Sequence, residues 1–276
     1  MSYLLSKYSQ PSLDSRVQSI TPESANWQYV GFSVYEIAKG EVLILDQTAT
    51  EKCLVLVSGR ATVTVNNQVF SNIGERMSPF EKDKNQQRIK PHSVYVAPQQ
   101  SVHVLAETDL ELAVCEAPSE GTFSTRHIAP QDVDAEHRGK RQNQRYVHNI
   151  LPDNKLADSL LVVEVFTEEG CTSSYPSHKH DQDIDGQETY LEETYYHRLD
   201  PSQGFCMQRV YTDDRELDEC MAVYDKDVVM VPKGYHPVAT IAGYDSYYLN
   251  VMAGPKRKWL FSWEGPHAWI NSEDYM

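Results

Sequence analysis

The sequence predicts an all-β protein organised as two lobes of barrel size. Three observations carry that expectation. Short runs rich in Val, Ile, Tyr and Thr recur along the chain, separated by Gly, Pro, Asn and Asp. No long stretch shows the 3.6-residue apolar period of an amphipathic helix. The strand-and-turn rhythm fills both halves of a 276-residue chain, which is long enough for two cores.

Taken in order, KCLVLVSGRATVTVNNQVF holds two apolar-alternating segments around Ser58-Gly59 and a second turn at Asn66-Asn67, the pattern of a small meander. GERMSPFEKDKNQQRIKPH is polar and turn-rich, as a loop at a barrel mouth would be. SVYVAPQQSVHVLAE and LELAVCEAP resume the strands, and the first lobe is expected over residues 1–121. Residues 122–145 are charged and poor in apolar side chains, the composition of a linker. Across residues 146–276, LLVVEVFTEEG, EETYYHRLD, GFCMQRVYTD, AVYDKDVVMVPKG, YYLNVMAG and KRKWLFSW repeat the rhythm as a second lobe, which implies a duplicated architecture.

Forty acidic residues against 25 Lys and Arg give a formal charge of −15, so a polyanion would be repelled over most of the surface and no nucleic-acid partner is expected. No window approaches the ~20 apolar residues of a membrane span. The opening MSYLLSKYSQPSLDSR lacks the apolar run of a signal peptide, so a cytoplasmic protein with no membrane partner is expected. Cys53, Cys115, Cys171, Cys206 and Cys220 are widely spaced, odd in number and without a C-x-x-C pair, which points to buried thiols.

The chemistry concentrates in the second half. Tyr175-Pro176-Ser177-His178-Lys179-His180-Asp181 sets two imidazoles at i and i+2, and on a strand that spacing turns both to one face. Glu192 and Glu193 open another predicted strand, and His236 follows the turn Val231-Pro232-Lys233-Gly234. Three histidines and one carboxylate suit a single divalent ion such as Zn, Mn, Fe or Ni. An H-x-H alone says little. H-x-H, then Glu, then P-x-G-x-H about forty residues on is the two-part signature of the cupin barrel.

The phrases SSYPSHKHD, LEETYYHRLDPSQGFCMQRVYTDD, VVMVPKGYHPVATIAGYDSYYLNVMAG and KRKWLFSWEGPHAWI resemble the 5-deoxy-glucuronate isomerase family of inositol catabolism, a relative of the 4-deoxy-5-hexosulose-uronate ketol-isomerases. The similarity covers most of the chain and is densest from about residue 140 to residue 270. It implies a bicupin, two tandem cupin barrels, that interconverts 5-deoxy-D-glucuronate and 5-dehydro-2-deoxy-D-gluconate with one bound divalent metal, for which zinc or manganese suffices. Carried over, the ligands are His178, His180, His236 and one of the adjacent glutamates. Glu193 is the choice, because the family's liganding Glu is followed by alternating aromatics, as Glu193 is by Tyr195, while Glu192 faces the opposite side of the strand. One departure keeps Glu188 a minor candidate: DQDIDGQETYLE intervenes where the commonest cupin pattern has only a few residues.

Other residues enter as candidates. Tyr195 and His197 share Glu193's face and, with Glu192, form the shortlist for acid/base work. Tyr175, Tyr196 and Tyr235 flank the ligands as proton donors or as core. A sugar-acid substrate needs a cationic clamp for its carboxylate, for which Arg145, Arg209, Lys233 and Arg257 are the nearest candidates. The first lobe has no H-x-H, and His92 and His103 stand alone in it, so it is expected to hold no metal and to support a homo-oligomer or shape the other lobe's entrance. Removing the C2 proton of an aldose leaves a cis-enediolate whose negative charge a Lewis acid neutralises until a base returns the proton to C1, with a metal-promoted hydride shift as the alternative route. The rival classes are an Fe(II) cupin dioxygenase with the same ligands and a sugar-acid-binding bicupin without catalysis.

Overall fold

The computed structural model describes residues 2–272 and 275. Its strands, in chain order, begin with β1 (Leu5–Ser6), β2 (Arg16–Ile20), β3 (Gly31–Ile37), β4 (Val42–Leu45), β5 (Thr50–Ser58), β6 (Ala61–Val65), β7 (Gln68–Ile73), β8 (Ser93–Val96), β9 (Val102–Ala106), β10 (Leu110–Pro118) and β11 (Arg126–Ile128). They continue with β12 (Asp134–Arg138), β13 (Arg145–Leu151), β14 (Leu161–Thr167), β15 (Thr172–Ser173), β16 (His178–Lys179), β17 (Glu192–Asp200), β18 (Phe205–Tyr211), β19 (Asp218–Tyr224), β20 (Val228–Val231), β21 (Val238–Thr240), β22 (Asp245–Ala253) and β23 (Ser262–Trp263). Among the described residues one four-residue α-helix, Pro22–Ala25, interrupts them, and no helix is long and apolar enough to cross a membrane.

By their internal contacts the residues form two compact units: an N-terminal unit of Ser9–Asp134 with Ile150–Val162, and a C-terminal unit of Met1–Tyr8, Ala135–Asn149 and Val163–Met276. In the N-terminal unit a six-stranded sheet runs β11-β8-β5-β10-β3-β2 and a four-stranded sheet runs β4-β9-β6-β7. In the C-terminal unit the corresponding sheets run β1-β20-β17-β22-β14-β13-β12 and β15-β21-β18-β19, with β16-β23 as a separate pair. The duplication is position by position. β5 lies between β8 and β10 as β17 lies between β20 and β22, and β6 lies between β9 and β7 as β18 lies between β21 and β19.

These units do not follow the boundaries expected from the sequence. Residues 122–145 are not a free linker: Arg126 pairs with Tyr95 as β11 joins β8, and β12 forms the far edge of the larger C-terminal sheet. Their charge reflects edge positions, where one side of a strand meets water. The first eight residues belong with the C-terminal unit, because Leu5 of β1 pairs with Val229 of β20. Residues 150–162 belong with the N-terminal unit, where the carboxylate of fully buried Glu51 accepts hydrogen bonds from the backbone N–H groups of Asp158, Ser159 and Leu160 and from the Tyr95 hydroxyl. Such pairings join segments far apart in sequence, which composition cannot register.

The N-terminal interior is aliphatic. Both of its sheets contribute, with Leu54 and Leu56 of β5, Val63 and Val65 of β6, Val94 and Val96 of β8, Val102 and Val104 of β9 and Leu112 and Val114 of β10 in one buried cluster. The alternation in KCLVLVSGRATVTV is thus the inward face of two facing sheets. The expected mouth loop, residues 74–92, is anchored by buried Arg76, which donates to the carbonyls of Val57 (2.9 Å) and Ile89 (3.0 Å).

Candidate metal centre

Three separate segments of the C-terminal unit deliver the four side chains. His178 stands on β16, whose pairing with β23 sets it opposite Trp263, so its ring packs at 4.7 Å from Phe261 and 5.7 Å from Trp263. His180 follows two residues on, its backbone carbonyl accepting from Leu191 N–H (2.9 Å). Glu193 lies on the central strand β17, between Val231 of β20 and Met252 of β22. His236 leaves the turn at Gly234, whose φ of +86° and approach to the Tyr211 carbonyl, 2.3 Å from where a Cβ would sit, admit glycine alone. The potential ligand atoms of His178, His180 and His236 lie within 4.8 Å of one another, and all three residues are buried.

The donor chemistry fits a cation. His180 Nδ1–H donates to the Leu191 carbonyl (3.1 Å) and His236 Nδ1–H to the Gly234 carbonyl (2.9 Å); a carbonyl only accepts, so Nδ1 carries a proton in both rings and Nε2, when the ring is neutral, offers the lone pair. Both Nε2 atoms face the same Glu193 oxygen, Oε2, at 3.1 Å and 3.2 Å, and the buried His236 Nε2 makes no hydrogen bond. Lone pairs and a carboxylate crowded together in a dry interior repel unless a proton or a metal ion stands between them. Among the described residues no other group of three such side chains converges in this way.

Electrostatics divide the three rings. Burial, reinforced by His236, His180, Arg145 and Arg138, holds His178 well below the ordinary imidazole range. Burial also brings His236 down to about 4, against the pull of Glu193. On His180 burial opposes charge too, but the hydrogen bond and charge of Glu193 outweigh it and raise its pKa. A metal site requires all three rings neutral, so an ion bound here would take the place of the proton that Glu193 favours on His180.

A clasp braces the histidines. Lys179, between the two histidines in sequence, reaches Asp213 at 2.6 Å and Asp181 at 3.3 Å. Asp181 accepts from Gly234 N–H (2.9 Å) and Asp213 from the Tyr235 hydroxyl (2.9 Å). The H-x-H segment and the His236 turn are thereby tied to each other.

Beyond the histidines, the inward face of β17 continues with Tyr195 and His197. The Tyr195 ring lies 5.7 Å from that of His236, and its hydroxyl contacts Ser174 Oγ at 3.0 Å, which also meets the Tyr248 hydroxyl at 3.4 Å. Burial, with Glu193 and Tyr248 adding to it, pushes Tyr195 well above the ordinary phenol range, so its proton stays on. His197 stacks on Tyr195 at 6.0 Å. Its Nε2–H donates to Gln208 Oε1 (2.8 Å), its Nδ1 faces the Cys206 thiol (3.5 Å), and burial lowers its pKa to about 4.

The structure does not gather every candidate. Glu192 occupies the opposite face of β17, on the side of Tyr196 and away from the histidines, because strand side chains alternate. Glu188 is engaged by the N–H groups of Asp181 and Gln182. Arg209 forms a bidentate pair with Asp218 (2.7 and 2.6 Å) and lies over Tyr211 on the outer side of β18. Lys233 is exposed at the tip of its turn. Tyr175 is half-buried beside His267. Of the cationic candidates, Arg145 acts electrostatically on His178, Tyr195 and Tyr248. Ser174, Tyr248 and Arg138 were not among the candidates; for Tyr248 the signal was its alternation with Asn250 and Met252 along β22. In the N-terminal unit His92 does not stand alone: its Nδ1 lies 3.0 Å from Nε2 of His127, with the rings stacked at 5.1 Å. His103 is exposed on β9.

Residues 4–270 match the KduI/IolB family. The chain is 53% identical over 268 residues to the 5-deoxy-glucuronate isomerase of Geobacillus thermodenitrificans, covering 97% of this chain and 95% of that one. It is 48% identical over 275 residues to the 5-deoxy-glucuronate isomerase of Bacillus subtilis strain 168, covering 98% and 99%. Among solved structures, an IolB-like protein from Salmonella typhimurium LT2 superposes with a TM-score of 0.93 at 62% identity, covering 98% of this chain and 99% of that one. Oxalate decarboxylase from Bacillus subtilis superposes with a TM-score of 0.60 at 12% identity, over 89% of this chain and 74% of that one. That likeness concerns the fold, which is the all-β bicupin.

Proposed function

Because the chain belongs to the KduI/IolB family, we propose that it is a 5-deoxy-glucuronate isomerase, an aldose-ketose isomerase that interconverts 5-deoxy-D-glucuronate and 5-dehydro-2-deoxy-D-gluconate in inositol catabolism. The observation that carries the chemistry is the meeting of two imidazole lone pairs and one carboxylate oxygen at about 3 Å inside a buried site. His178, His180, Glu193 and His236 would hold one divalent ion, zinc or manganese. Bound there, it supplies Lewis acidity toward a carbonyl and its neighbouring hydroxyl, where charge develops as the C2 proton leaves.

The rest of the work falls to the chain itself. Of the acid/base candidates we assign Tyr195, whose retained proton makes it a hydrogen-bond donor to a substrate oxygen. Ser174 links that hydroxyl to Tyr248, so the proton can be shared along the three hydroxyls. His197, held by Gln208 and stacked beneath Tyr195, is a positioning residue. Phe261 and Trp263 pack against His178 and exclude water from that side. Five free cysteines fit the reducing cytoplasm, where we place the enzyme as a homo-oligomer.

The test couples elemental analysis of the purified protein to an NMR assay of 5-deoxy-D-glucuronate. The expected result is about one equivalent of zinc or manganese per chain with appearance of the ketose signals. A metal-replete protein that leaves the aldose untouched overturns the reading.

A further inference from the structure

Next to the metal centre the C-terminal unit gathers a second group of side chains that offers donors and positive charge. Gly139 has φ +82°, and a Cβ there would lie 1.8 Å from the Asn143 carbonyl oxygen and 2.8 Å from Arg145 Nη1. Only glycine lets this loop close so tightly, and the closure sets Arg145 Nη1 against the residue that follows Arg138 in the chain. Arg138 lies over the Trp259 ring at 5.5 Å. Trp259 is 6.0 Å from Phe261, which is 4.7 Å from the His178 ring.

The partners of these groups are incomplete. Arg145 donates from Nη1 to the carbonyl and side-chain oxygens of Asn143, at 3.0 and 3.3 Å. Among the described residues it meets no carboxylate. The Trp259 Nε1–H is buried without an acceptor. Arg138 is held by Glu136 through Nε at 2.8 Å. One guanidinium that meets no carboxylate, a second held by Glu136 through Nε alone, and an unsatisfied indole N–H together suit an anion with several acceptor lone pairs.

We propose that Arg138, Arg145 and Trp259 form a carboxylate subsite that grips the acid end of a sugar-acid substrate while its carbonyl end meets the histidine centre. The inference rests on the isomerase reading and deepens it, by assigning the residues that would distinguish a uronate from a neutral sugar. A planar guanidinium matches a carboxylate with two parallel hydrogen bonds, whereas a hydroxymethyl group in the same place would leave the charges unmatched.

The probes are D-glucuronate and D-glucose, titrated into the metal-loaded enzyme by calorimetry. Wild type should bind D-glucuronate at least about tenfold more tightly than D-glucose, with the advantage shrinking as ionic strength rises. Arg138→Gln and Arg145→Gln should each remove most of that advantage, leave D-glucose binding and metal content unchanged, and raise KM for 5-deoxy-D-glucuronate more than they lower kcat. Arg138→Lys should restore part of it, and Trp259→Phe, which deletes the N–H and keeps an aromatic ring under Arg138, should cost a few-fold. The latter two also serve if a glutamine variant fails to fold. Variants that bind D-glucuronate as wild type does, or that lose both sugars equally, overturn the subsite. Tight D-glucuronate binding through these arginines without turnover of 5-deoxy-D-glucuronate would instead remove the isomerase reading and leave the subsite standing.

Discussion

At the centre of the N-terminal unit β5 turns Leu54 and Leu56 into an aliphatic core. At the equivalent place in the C-terminal unit β17 presents Glu193, Tyr195 and His197, each with a partner for its polar atoms. Each strand lies between two equivalent neighbours, β8 and β10 for β5 and β20 and β22 for β17. The ladder hydrogen bonds that set the architecture are indifferent to the side chains on either face, so one strand order can enclose packing or chemistry. The polar interior has to be satisfied atom by atom, and its buried lone pairs are held in place by the Lys179 clasp and the two carbonyl-bound imidazoles.

That contrast can be broken from either side. His236→Ala or His178→Ala should abolish metal retention and lower activity by about a thousandfold or more, beyond the roughly 10–100-fold typical of residues that merely orient ligands. Circular dichroism should show the sheets intact, and metal retention by either variant would dissociate the centre from these histidines. Leu56→Ala, in the aliphatic interior, should cost about 2–5 kcal/mol of stability in urea denaturation. Activity per folded molecule should stay near wild type, and a large loss of turnover would show that the two interiors are coupled.

His197 sharpens the comparison through pH. Burial lowers its folded pKa to about 4, so below the unfolded value near 6.5 the unfolded chain binds the extra proton and stability falls with falling pH. Across that window the contribution is on the order of 3 kcal/mol. His197→Gln should therefore flatten the pH dependence between pH 6.5 and 4, measured as denaturation midpoints; an unchanged slope would mean that this ring titrates normally. The smallest effect belongs to the clasp. Lys179→Met should weaken metal binding roughly 10–100-fold in a chelator competition, with Lys179→Arg in between. Wild-type affinity in Lys179→Met would make the clasp dispensable.

Much of this was legible in the chain. Alternation in KCLVLV and ATVTV reports directly on which face of a strand is buried, because the side-chain period of two is a local property. The H-x-H pair was legible for the same reason: residues two apart on an extended segment share a face. The same rule separates Glu193 from Glu192, which the structure sets on opposite sides of β17. Arg209 and Lys233 were misplaced because a cation's sequence neighbours do not reveal whether it faces Asp218, water or a cavity. Arg138 lay hidden in a segment whose charge resembled a linker and which folds as an edge strand.

Sequence by itself determined the strand content, the duplicated rhythm and which histidines to expect together, since periodicity and residue chemistry are written locally. Tertiary structure alone decided the exchange of β1 and residues 150–162 between the two units, the facing of two imidazole lone pairs on one Glu193 oxygen, and the meeting of Arg138 with Trp259. Each of these joins segments distant along the chain, and their proximity is fixed by sheet pairing and close packing rather than by any short stretch of residues.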